Sequence, residues 1–73
     1  MTVEIKLTTI EDVKRFCNAA MRCKESVDVQ HKNHRVDGAS LMGILSLDLS
    51  QTVTVICDDE SFRDEITEWI VAG

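Results

Sequence analysis

The sequence predicts an α+β protein, an open-faced β-sandwich with helices on one face of a four-stranded, mainly antiparallel sheet. Three observations lead there. Residues 2–7 and 26–32 alternate polar and apolar, and residues 51–57 are rich in β-branched side chains, as strands are. Ile10, Val13, Phe16, Cys17, Ala20 and Met21 recur at the spacing of one helical face. The chain has 73 residues, 44% of them hydrophobic, and a chain this short buries only about 60% of its unfolded surface. One domain, residues 1–73, with a single sheet-plus-helix core is the expected organisation.

The elements follow in order. In the first strand Val3, Ile5 and Leu7 share one face. Thr8 with Glu11, or Thr9 with Asp12, has the spacing of a capping box, in which each side chain satisfies the other residue's free backbone N–H. The helix that follows carries Glu11, Lys14, Arg15, Asn18 and Arg22 on its polar side. The second strand turns Val27 and Val29 inward. Lys32-Asn33-His34 forms a hairpin turn, with Asn33 the residue that best tolerates a left-handed backbone. A short return strand through Arg35 and Val36 ends at Asp37-Gly38. Ser40 is placed to cap a short helix from Leu41 to Leu45. After the strand at 51–57, Asp58-Asp59-Glu60-Ser61 puts acid where a helix N-terminus attracts it. Phe62, Ile66, Trp69 and Ile70 form the inward stripe of a final helix, and Val71-Ala72-Gly73 ends the chain. The order is β-α-β-β-α-β-α.

Charge and composition exclude several classes. Eight Lys and Arg stand against thirteen Asp and Glu, a net of -5. Residues 1–47 carry seven basic and six acidic groups, whereas residues 48–73 carry Arg63 and seven acids. Nucleic-acid binding needs basic surface to neutralise phosphates, and with one Trp, two Phe and no Tyr stacking platforms are scarce as well. The longest uncharged run, residues 38–47, has ten residues, short of the ~20 a membrane helix needs. The N-terminus lacks the apolar stretch of a secretory signal, so the cytoplasm is the expected compartment. An odd number of cysteines, Cys17, Cys23 and Cys57, does not fit a disulfide framework. Cys17 and Cys23 lie about 240° apart around a helix, and packed, reduced thiols are expected.

Candidate chemistry is sparse. His31 and His34 span the predicted turn, with no carboxylate or cysteine beside them to complete a metal site. No spacing favours a Cys–His nucleophilic pair. Asp58-Asp59-Glu60 lacks the glycine and one-apart carboxylates of a calcium loop. No metal and no cofactor is expected. The informative segment is residues 37–49. Leu41, Met42, Ile44 and Leu45 crowd one short helix, and two readings stand: all four are core, or some are exposed as a small apolar patch suited to protein contact.

Ser40-Leu41-Met42-Gly43 and the later Ser46-Leu47 resemble the regulatory region of the histidine-containing phosphocarrier (HPr) family of the bacterial sugar phosphotransferase system. That family also has the element order read above, over essentially all 73 residues. The resemblance implies phosphorylation of Ser40 by a serine kinase and binding of a transcriptional regulator through Leu41, Met42, Ile44 and Leu45. It also implies a relay histidine at the start of the first helix with an arginine two residues later. Counted back from Ser40, those two positions fall on Thr9 and Glu11. Thr9 cannot form a phosphoimidazole, and Glu11 repels phosphate. The expectation is therefore an HPr-like, non-enzymatic, monomeric module that binds other proteins through the surface of residues 40–49. A phosphocarrier relaying phosphate between proteins is the alternative.

Overall fold

In the computed structural model of the chain, which describes residues 1–71, β-branched and alternating segments form four strands: β1 (Thr2–Ile5), β2 (Val27–His31), β3 (His34–Asp37) and β4 (Val53–Cys57). They make one antiparallel sheet in the order β1-β4-β2-β3. The register explains the alternation. Val3 pairs with Val55, Ile5 with Val53, Val29 with Val55 and Val27 with Cys57, and all these side chains are buried. The intervening pairs, among them Glu4 with Thr54 and Gln30 with Thr54, face the other side, which is left open. Strands with one apolar edge therefore yield a sheet with one covered face.

That face is covered by α1 (Ile10–Arg22), α2 (Leu41–Leu45), α3 (Phe62–Glu65) and a single 3-10 turn, Thr67–Trp69. From α1, Val13, Phe16, Cys17, Ala19 and Ala20 are buried. The Phe16 ring meets Phe62 edge-on at 6.0 Å and Trp69 at 6.1 Å, contacts that add about 0.5–1.5 kcal/mol each beyond their buried area. Arg15 lies over the outer side of Trp69, 5.2 Å from the ring, and pairs with Glu68. The C-terminal segment is thus fastened to α1 from within and without.

Four details differ from the sequence reading. The alternation at 2–7 continues past the strand, since pairing with β4 stops at Ile5. Positive φ falls on Lys32, at 54°, and not on Asn33. The turn has only two residues between the paired His31 and His34, and its first position is the one that must be left-handed; Gln30 Nε2 donates to the Lys32 carbonyl at 2.9 Å. Ile10 and Met21 are exposed: they sit in the first and last turns of α1, outside the stretch from Val13 to Ala20 that supplies its buried residues. The final helix breaks after Glu65, with Ile66 at φ -116°. Beyond Trp69 the chain is extended: Ile70 bridges to Ile5 and Val71 N–H donates to the Glu4 carbonyl at 3.0 Å. Ala72 and Gly73 lie outside the described residues.

Candidate functional site

Ser40 occupies the N-cap of α2, as its sequence position implied. Its backbone is extended (φ -100°, ψ 112°), and Oγ accepts the Gly43 N–H at 3.0 Å. Upstream, Asp37 folds the approach: its carboxylate accepts the Ala39 N–H at 2.9 Å and its carbonyl the Ser40 N–H at 3.0 Å. Gly38 donates to the Val27 carbonyl at 2.7 Å. A Cβ at Gly38 would stand 2.8 Å from Val27 Cγ1 and 2.9 Å from that carbonyl oxygen, so only glycine allows the chain to approach β2 this closely. Gly43 has a second spatial role. A Cβ there would lie 3.2 Å from Ser40 Oγ and 3.3 Å from Val36 Cβ, so its absence leaves the hydroxyl room to cap.

The four apolar residues of α2 divide. Ile44 is 0% exposed and belongs to the core, which removes it from the binding set expected of it. Met42 is 84% exposed, Leu45 42% and Leu41 37%. A five-residue helix presents only one residue squarely to the sheet, and Ile44 fills that position. Ile10, 55% exposed, joins Leu45 and Leu49 along a groove of about 310 Å³ that also touches Lys6, Thr8, Thr9 and Ser50. Ile10 was missed as a surface residue because it begins an apolar stripe. The signal available was its place directly after the N-cap, where a side chain projects past the end of the helix.

The same groove includes the start of α1. Thr9 is its N-cap (φ -127°, ψ 162°), and Oγ1 accepts the Asp12 N–H at 3.0 Å. Asp12 returns the bond to Thr8, whose N–H reaches its carboxylate at 3.3 Å. Of the two capping pairs open in the sequence, Thr9 with Asp12 is formed, its reciprocal half displaced by one residue. Burial works against the charge on Asp12. The Trp69 indole, the Thr8 and Thr9 backbone and the Thr9 hydroxyl outweigh it and hold the carboxyl below its ordinary value. The indole N–H itself is buried without a hydrogen bond of ordinary geometry, so the Thr8 and Thr9 bonds are the contacts that the geometry bears out. Glu11 is exposed and adds negative charge at this end. His31 and His34 line a different groove, with Ser46 and Asp48.

Chemically, this region offers a modifiable hydroxyl and an apolar ledge. Ser40 Oγ is held by a backbone donor, with no general base hydrogen-bonded to it. Among the described residues no group of three or more His, Cys, Asp or Glu is arranged to hold a metal ion, and no helix is long and apolar enough to cross a membrane.

Residues 12–70 match the family model described as the PTS HPr component phosphorylation site. The chain belongs to the HPr family. It is a phosphotransferase-system-related, phosphocarrier-like protein. The match begins after Thr9 and Glu11, so the start of α1 lies outside it. A solved structure described as the crystal structure of HPr-C-His from Thermoanaerobacter tengcongensis is similar at a TM-score of 0.73 and 25% identity, covering 93% of this chain and 85% of that one. No curated protein matches the chain. HPr family proteins interact with other proteins of the phosphotransferase system, and the fold and family expected from the sequence are those found.

Proposed function

We propose that this HPr-family chain is a regulatory, protein-binding module without histidine relay, acting through the surface of residues 40–49. One observation carries the proposal: a capped Ser40 adjoins an apolar ledge of Leu41, Met42 and Leu45 that ends at the Thr8–Thr9 groove. The first histidine of the chain is His31, in the hairpin, where it lines a separate groove with His34, Ser46 and Asp48. In this reading a serine kinase modifies Ser40, and the phosphate takes up free N–H groups at the start of α2. A transcriptional regulator or other protein then docks on Met42, Leu45 and Ile10. The module acts as a non-catalytic cytoplasmic monomer.

Two experiments test it. The serine kinase of a bacterial HPr system, with ATP, adds one phosphate to the wild type by intact mass and none to Ser40→Ala; absence of phosphate on the wild type sinks the modification. Family membership itself favours the second reading, relay of phosphate between proteins. Phosphoenolpyruvate with the first enzyme of the system decides between them: acid-labile phosphate on this chain would establish relay and overturn our proposal.

A further inference from the structure

At the end of α1 opposite the capped groove, two thiols face each other. Cys23 is the C-cap of α1, in extended backbone (φ -72°, ψ 136°), and Cys57 is the last residue of β4. Their Sγ atoms are 3.8 Å apart across 34 positions of sequence. A disulfide needs about 2.05 Å, so the sulfurs must close by roughly 2 Å; Cys23 sits at the very end of α1, its backbone already extended and its N–H donated to the Ala20 carbonyl at 3.2 Å. Cys23 is half-buried and lines an open groove of about 630 Å³ with Arg22, Lys24, Asp59 and Ser61. Cys57 lies behind it, buried, with Sγ accepting the Asp59 N–H at 3.4 Å. Cys17 is buried. The groove gives a small molecule access to Cys23 and leaves Cys57 reachable chiefly by Cys23.

We propose that Cys23 and Cys57 are a built-in dithiol that closes to an intramolecular disulfide by exchange with a small-molecule disulfide. The Cys23 thiolate attacks one sulfur of the reagent, whose S–S bond breaks; one half leaves as a thiolate and takes up the proton Cys23 lost. The Cys57 thiolate then attacks Cys23 Sγ, the bond from Cys23 to the reagent breaks, and the second half leaves with the proton from Cys57. Two cysteine thiols are oxidised by two electrons and one disulfide is reduced to two thiols. Burial pushes the Cys57 thiol up, which makes it a poor first attacker and suits it to the second step.

The test is treatment of the reduced protein with oxidised glutathione, acid quenching, intact-mass measurement and peptide mapping. Wild type and Cys17→Ser lose the mass of two hydrogens and yield a Cys23–Cys57 linked peptide. Their Tm rises on the order of 10 °C, and a dithiol reductant reverses the change. Cys57→Ala and Cys57→Ser stop at a glutathione adduct on Cys23. A wild type that stops at that adduct, links through Cys17, forms intermolecular dimers, fails to react, or closes without gaining Tm would overturn the proposal. The wild-type map decides the matter even if a Cys57 variant fails to fold.

Discussion

At the scale of single residues, neighbours in α2 have opposite duties, and substitutions should separate them. Ser40→Ala removes the acceptor of the Gly43 N–H and should cost about 1 kcal/mol in urea unfolding. Ile44, wholly buried, should cost roughly 2–5 kcal/mol as Ile44→Ala. Met42→Asp should leave stability within about 0.5 kcal/mol while abolishing binding of the partner that reads this surface, measured by calorimetry; retained binding would move the interface elsewhere. The serine cap was legible because cap chemistry is local: a hydroxyl just before an apolar run has few other uses. Which of Leu41, Met42, Ile44 and Leu45 is buried was not legible, since apolarity is common to all four and only the tilt of α2 over the sheet selects Ile44. The closeness of Cys23 and Cys57 was hidden for the same reason; it depends on where β4 enters the sheet.

Among elements, ends decided more than middles. The interior of α1 was legible from its 3.6-residue period, but Ile10 and Met21 carry the same signal as Val13 and Phe16 and differ in lying in the helix's first and last turns. The break after Glu65 has no local breaker residue; the bridge from Ile70 to Ile5 and the Val71–Glu4 bond draw the chain out of helix. Three turns at element ends share a device. Asp48 accepts from Ser50, and Asp59 from Ser61, each through a backbone N–H and a hydroxyl, while Asp12 accepts from Thr8. In the second of these Ser61, the N-cap of α3, makes no side-chain cap bond of its own and donates to Asp59 instead. The Ser50 and Ser61 bonds are the main influence on Asp48 and Asp59, and all three carboxyls lie below their ordinary value. A carboxyl lowered on folding stabilises the native state above its unfolded pKa and loses that contribution as pH falls through the folded value. Stability should therefore hold steady through neutral pH and decline below the ordinary carboxylate range. Asp59→Asn should flatten the decline in a pH series of urea midpoints, and an unaltered slope would refute the assignment.

For the whole molecule, β4 is the strand on which the fold turns, paired with β1 on one side and β2 on the other. Its amides should be the slowest to exchange with deuterium, and those of β3 the fastest within the sheet; comparable protection in the two strands would contradict the topology. The element order and the two-sided character of the sheet were readable from alternation, whereas strand order was not, because β1 and β4 pair across some fifty residues of sequence with no local turn to set their register. The two borders of this sheet consequently meet solvent on different terms. Beyond β1, Ile70 and Val71 occupy part of the hydrogen-bonding row that would otherwise recruit a strand from another molecule. Beyond β3 the row is open, but it is four residues long and presents His34, Arg35 and Asp37. Short, charged borders are poor templates for edge-to-edge growth. The C-terminal strap and the polar hairpin thus supply at opposite margins the same protection against aggregation, one by occupancy and the other by charge.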